Sequence, residues 1–441
     1  MGRALFFCLL ACAALPAQQI PLPTDLPSHP YFIKQTWFVG GTGSWDYLTM
    51  DPAAGRLYIA HGSVVQVVDV ETGTLAGQIT GLREAQSIAL DDTGQLGYIS
   101  DSQAGEVKAF DRRTLEVVGT VPIGASPRAL VYEPQSKLLF AICPGANTRG
   151  LLNRRAGNDR RGSSATARTD ASPGGAGLGA RDHPTSVIVV IDTQPLQEVA
   201  QILVSGTLGF AQADGNGQVY IAVEDRNEIA RVDAIGLGAR LRTLLGAAGE
   251  TQGTTPAPTQ TSGQTLATAL HIDAPFVLDW SASAHPPGTA ESHMQFFQLG
   301  PECVDPQGMA IDRLGMRLFT ACGNRKLVVL NAGTGEIVAT LPTGPGVDAV
   351  GYDPERGLIF VANGGGDGSI TIIRQQVPDS YAVIQNLPTR QRARTLAVDP
   401  KTGSVYVVTD YEGVDMARAG GIGDLRMTPV TGSFQVLKIG H

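Results

Sequence analysis

Charge is scarce in this sequence: Asp, Glu, Lys and Arg supply 17% of its 441 residues, and aromatics only 6%. There is no cationic excess, because 33 Lys and Arg face 41 Asp and Glu for a net charge of -8. The whole-chain balance therefore gives no reason to expect nucleic-acid phosphates or an anionic membrane as general partners. The five cysteines form no CxxCH motif, so covalent c-type haem has no support. GxSxG, HExxH and Walker patterns are also missing, which leaves serine hydrolase, zincin and nucleotide chemistry without a motif. Beyond the N-terminus, no apolar run approaches the roughly 20 residues of a transmembrane helix. Turn chemistry is abundant instead, with 54 Gly and 27 Pro beside 43% hydrophobic residues, the composition of a folded chain rich in turns.

Met1-Gly2-Arg3 is a short positive start, Ala4 to Leu15 is almost wholly apolar, and Leu15-Pro16-Ala17 offers a small residue at a cleavage point. Residues 1–17 thus read as a secretory signal peptide, and the protein as secreted or periplasmic. The alternative is a lipoprotein anchored through Cys12, since Leu9-Leu10-Ala11-Cys12 resembles a lipobox. An oxidising exterior makes one disulfide plausible among Cys143, Cys303 and Cys322. Two strand-like runs, Gly308 to Asp312 and Arg317 to Ala321, form a hairpin with Cys303 and Cys322 at its open end, so these two are expected to pair. Cys143 is left as a small buried hydrophobe at a strand end.

Internal repetition carries most of the information. A strand ending in an acid recurs at Tyr47 to Asp51, Ser87 to Asp91, Ala129 to Glu133, Phe210 to Asp214, Gly308 to Asp312, Ala349 to Asp353 and Thr395 to Asp399. A second strand follows each, with an aromatic at a fixed place: Tyr58, Tyr98, Phe140, Tyr220, Phe319, Phe360 and Tyr406. Their spacings are 40, 42, 80, 99, 41 and 46 residues, so four are near one length and two have absorbed insertions. Third and fourth strands complete most units. Four short strands in about 40 residues is the pattern of a propeller blade, so the fold class is all-β, a seven-bladed β-propeller with four-stranded blades. The aromatic column is expected to fill the gaps between blades, and the recurring acids to cap hairpin turns by accepting backbone N–H bonds. The last unit lacks a fourth strand, and Tyr31 to Val39 is the natural N-terminal strand to complete that blade and close the ring. Residues 30–441 thus form one domain, expected to be monomeric.

The units resemble the bacterial YVTN or YncE-like seven-bladed propellers, in Ile123 to Leu130 (IGASPRAL), Phe360-Val361-Ala362-Asn363 and Val190-Ile191-Asp192-Thr193. The resemblance spans about residues 30 to 441 apart from two insertions. It implies a secreted propeller and transfers architecture rather than a mechanism or a site pattern.

The first insertion, about 147–184, lies between the second and third strands of blade three and sets seven arginines against three acids. The second, about 246–293, is Thr/Gln/Pro/Gly-rich and then apolar at Ala274 to Trp280, a patch expected to fold back onto a blade. It sits either between strands three and four of its unit or after a fourth strand at Leu241 to Leu245.

Loops entering the innermost strands, and those joining second to third strands, gather at one mouth of a propeller's channel. The residues before the first strands differ from unit to unit while their neighbours repeat, as an asymmetric ligand would require. This picks out Asp46, Arg128, Asp348 and Arg394, with His61, Glu224 and Asn363 from the second-strand ends. Two acids and two arginines favour a polar, oxygen-rich ligand, and the arginines could grip a carboxylate. The expected function is a ligand-binding or protein-interaction scaffold, its partner a small molecule or an envelope protein. The alternative is a lactone or ester hydrolase assisted by calcium in the channel, for which Glu224, Asp348, Asn363 and His61 are suitable residue types. Gly364 to Gly368 reads as a hairpin loop with no helix behind it to cradle phosphate.

Overall fold

The computed structural model describes residues 30–145, 184–250, 276–280, 293–377, 379–414 and 427–441. The signal-peptide reading, Cys12, and nearly all of the first insertion lie outside these residues. Seven antiparallel blades of four strands form a ring. Blade one is Trp45–Asp51, Arg56–His61, Val64–Asp69 and Leu75–Ile79, and blades two, five and six are likewise uninterrupted runs of consecutive strands. In every blade the second strand is almost wholly buried, since both its faces meet neighbouring blades, whereas the fourth strand of blade two, Val117–Pro122, has four exposed positions out of six.

Repeated side chains hold this architecture. Tyr58, Phe140, Tyr220, Phe319 and Phe360 are fully buried, with Tyr98 and Tyr406 at 2% and 1% exposure, and they pack within the hydrophobic clusters between blades. The acids that end the first strands accept backbone N–H bonds from the turn: Asp51 from Ala54, Asp91 from Gly94, Glu133 from Ser136, Asp214 from Asn216, Asp312 from Gly315, Asp353 from Glu355 and Asp399 from Lys401. Arg112 adds a link between the first two blades, pairing with Asp51 of blade one and, at 3.4 Å, with Asp91 of blade two; its side chain is only 10% exposed.

The ring closes through its ends. Blade seven consists of Leu396–Asp399, Ser404–Thr409 and the C-terminal Gln435–Gly440, and its outer strand is the N-terminal Phe32–Phe38, which pairs antiparallel with Gln435–Gly440 from Phe32 opposite Gly440 to Phe38 opposite Gln435. Trp37 stacks on Tyr406 with centroids 5.7 Å apart and also reaches blade one, where a Cβ on Gly73 would lie 2.3 Å from its indole Nε1.

Two features set blades three and four apart. After Glu228–Asp233 the chain forms the helix Ala234–Glu250, so Leu241 to Leu245 are helical and the insertion separates the third strand from the fourth, Met294–Gln298. The Asp233 carboxylate accepts the Gly236 N–H at the start of this helix, and Leu237 and Leu241, one turn apart, are buried against the cluster shared by both blades. The apolar patch then returns: Phe276–Trp280 adds as a fifth strand, parallel to the outer strand Leu196–Ser205 of blade three. No helix among the described residues is long and apolar enough to cross a membrane.

Candidate functional site

The innermost strands aim residues at the channel mouth by leaving their ladders. In five blades the register breaks near the start of the first strand, between Trp45 and Leu48, Ala85 and Ile88, Leu208 and Ala211, Pro306 and Met309, and Val347 and Val350. A break of this kind leaves the intervening residues unpaired and re-aims them. Those residues include Asp46, Gly209, Gln307 and Asp348, all of which line one cavity of about 630 Å³ with Arg128 of blade three and Arg394 of blade seven. Glu224, which opens a short 3-10 turn after the second strand of blade four, completes the set, its carboxylate lying where a Cβ on Gly209 would be 2.2 Å from Oε1.

Below this layer two rings span the channel. Tyr47 and Phe210, from blades one and four, meet across the axis with ring centroids 5.3 Å apart. Those blades are not neighbours in the ring, so the pair bridges the channel, and the cavity is a cup floored by Tyr47.

Electrostatics inside the cup are unbalanced. Arg394 pairs with Asp348 at 3.3 Å. Arg392, whose cation lies 4.8 Å over the Trp45 ring, is occupied by Asp410 and Glu412. Burial raises the Asp348 carboxyl in spite of Arg394 and Arg128. Asp46 is pushed up to about 7, first by burial and then by the like charge of Asp348, against the pull of Arg394 and Arg128. Glu224 also reaches about 7, through burial and then Asp305, opposed by Arg128. Two carboxyls that exchange protons near neutrality can donate or accept a hydrogen bond at the same place.

Five of the seven residues expected at the site, Asp46, Arg128, Glu224, Asp348 and Arg394, thus share the cup. His61 and Asn363 do not line it. His61 is buried, its Nδ1 2.9 Å from Gln66 Oε1 and its ring 4.0 Å from Phe434, and Gln66 in turn donates to the Val39 and Gly40 carbonyls beside the ring-closing strand. Asn363 is fully buried and donates to Ser369 and Thr371 within its own blade. The ends of second strands brace blades as readily as they face the channel, and residue type does not separate the two roles. Asp305 and Arg392 line the cup without having been picked out. Both have positive φ, 57° and 67°, a loop conformation that hydrophobic pattern does not reveal. The Gly364-Gly365 pair also lines the wall as a hairpin loop, close enough to Gly346 that a Cβ there would lie 2.6 Å from the Gly365 nitrogen.

Cys303 and Cys322 are joined by a disulfide with Cα atoms 5.2 Å apart, tying the segment that carries Asp305 to the end of the second strand of blade five, while Cys143 is free and buried. Among the described residues no three His, Cys, Asp or Glu side chains converge as a metal-binding group.

No family model matches the chain, and no curated protein matches its sequence. Solved propellers do match its shape. The RRP9 WD40 repeats align at TM-score 0.56 and 8% identity, covering 93% of this chain and 97% of theirs. The Cps50 (Swd1) β-propeller domain of Myceliophteria thermophila aligns at 0.54 and 9%, covering 93% and 100%. A chain from the mitotic checkpoint complex aligns at 0.53 and 13%, covering 98% and 99%. At these identities the likeness is one of fold.

Proposed function

We propose that this protein is a secreted or periplasmic, YncE-like propeller that acts as a binding module, taking a small polar ligand that bears a carboxylate into the cup at the channel mouth. The observation that carries this reading is the cup itself. It has the volume of a small-molecule site, is floored by Tyr47 in contact with Phe210, and is lined by unlike residues at equivalent positions of the ring. The Arg128 guanidinium makes no hydrogen bond or ion pair among the described residues, so its fork is available to a carboxylate. The disulfide is of the kind that persists in oxidising compartments, and the propeller neighbours found in protein assemblies support a scaffold role beside ligand binding.

The test is calorimetric titration with a panel of di- and hydroxycarboxylates, with and without calcium. At least one should bind, and replacing Arg128 and Arg394 together with Ala should abolish binding while the circular dichroism spectrum is unchanged. Undiminished affinity in the double variant would remove the cup as the site.

A hydrolase is the second reading, favoured by the near-neutral titration of Asp46 and Glu224, which suits general acid–base chemistry. Turnover of lactones or esters that is lost in Asp46→Asn and Glu224→Gln would place it first.

A further inference from the structure

The charges left over in the cup specify the ligand more narrowly. Arg394 is taken by Asp348, and Arg392 by Asp410 and Glu412. Arg128 remains as the cation whose side chain has no hydrogen-bond or ion-pair partner among the described residues. It stands on blade three, and its field reaches both Asp46 on blade one and Glu224 on blade four. Neither of those carboxyls has a hydrogen-bond or ion-pair partner among the described residues, and both line the same cavity. A ligand that is only an anion satisfies Arg128 but leaves both acids without a partner and is repelled by them as they ionise near pH 7. A ligand that is only a cation meets the acids and leaves a desolvated guanidinium unmatched, which is unfavourable. A molecule carrying both charges satisfies both.

We propose that the cup binds a zwitterion, an ammonium carboxylate of amino-acid or short-peptide size, whose carboxylate is held by Arg128 and whose ammonium lies against Asp46 and Glu224. The proposal rests on the reading of the cup as a carboxylate-binding site and adds the opposite end of the ligand. The acids would ionise as the ammonium enters. Binding should therefore tighten by about fivefold per carboxyl between pH 6 and pH 7, as a group titrating at about 7 goes from about one-tenth to one-half ionised.

Calorimetry with dialanine and trialanine, against their N-acetylated and C-amidated forms, tests it. Each cap should weaken binding by about tenfold or more, the loss expected for one charge-assisted contact. The double variant Asp46→Asn with Glu224→Gln should erase the difference between the free and N-acetylated peptides, with the melting transition retained. If the N-acetylated peptides bind as tightly as the free ones, the zwitterion is refuted and the carboxylate site stands. If no peptide binds while a dicarboxylate does, the zwitterion again fails alone. If neither class binds, both readings fall.

Discussion

Ring closure by the N-terminal strand can be tested by removing it. Tyr31 and Trp37 are 2% and 9% exposed, and Trp37 lies between Tyr406 of blade seven and Gly73 of blade one. Each ring buries on the order of 200 Å², so at about 25 cal/mol per Å² the pair contributes up to ~10 kcal/mol, before the ladder to Gln435–Gly440 is considered. That is comparable with the whole stability of a typical domain, about 5–15 kcal/mol. Deleting residues 30–40 should therefore leave a chain with no cooperative transition. Trp37→Ala, which keeps the strand, should cost about 3–5 kcal/mol and lower the melting midpoint by at least about 5 °C. Thermal and urea unfolding followed by circular dichroism reads both. A deletion variant that melts within about 1 °C of the parent would show that the strand is an ornament on an already closed ring.

Replacing Cys303 and Cys322 with Ser should lower stability by roughly 3 kcal/mol, the chain-entropy value for so short a loop, and thiol titration of the unfolded parent should gain two thiols on reduction. Arg112→Ala should cost about 3–5 kcal/mol in urea unfolding, because it strands the buried Asp51 carboxylate, whereas loss of an exposed pair such as Lys137 with Asp92 should stay below about 1 kcal/mol. The folded carboxyls of Asp46 and Glu224 hold their protons to about pH 7, while the unfolded ones release theirs near pH 4. Stability should thus fall as pH rises from 4 to 7, by on the order of 1 kcal/mol per carboxyl for a cup open to solvent. Asp46→Asn with Glu224→Gln should flatten that slope, and an unchanged slope would mean that these acids are not buried as described.

What the sequence discloses follows from what is periodic. The Tyr/Phe column and the turn acids recur from unit to unit, and each corresponds to one repeated contact, so the ring is legible; its closure and the Cys303–Cys322 hairpin are legible because they are read against that repeat, one as a unit short of a strand and the other as cysteines flanking two of its strands. Features with no counterpart in the repeat are not. Leu241 to Leu245 offers three leucines in five residues, too few to separate 2.0 from 3.6 periodicity; its helical state follows from Asp233 capping Gly236 and from Leu237 and Leu241 sharing a face. The cup was half legible for the same reason. Convergence of blades is a property of the repeat, but the broken registers that turn Asp46 and Asp348 inward, and the positive φ of Asp305 and Arg392, belong to individual loops.

The fifth strand of blade three has a mechanical consequence. Blade four sends its chain back across the seam to pair Phe276–Trp280 with the outer edge of blade three, so that seam is crossed three times: by the forward connection from Ser205 to Leu208, by this return, and again before Met294–Gln298 completes blade four. At most seams a single linker crosses, and a blade can loosen without dragging its neighbour. Here neither can, and the shared cluster around Leu237 and Leu241 couples them further. In native-state hydrogen exchange, blades three and four should open as one unit, with slower and matched amide rates, so that any opening of the ring starts on the far side from this rivet.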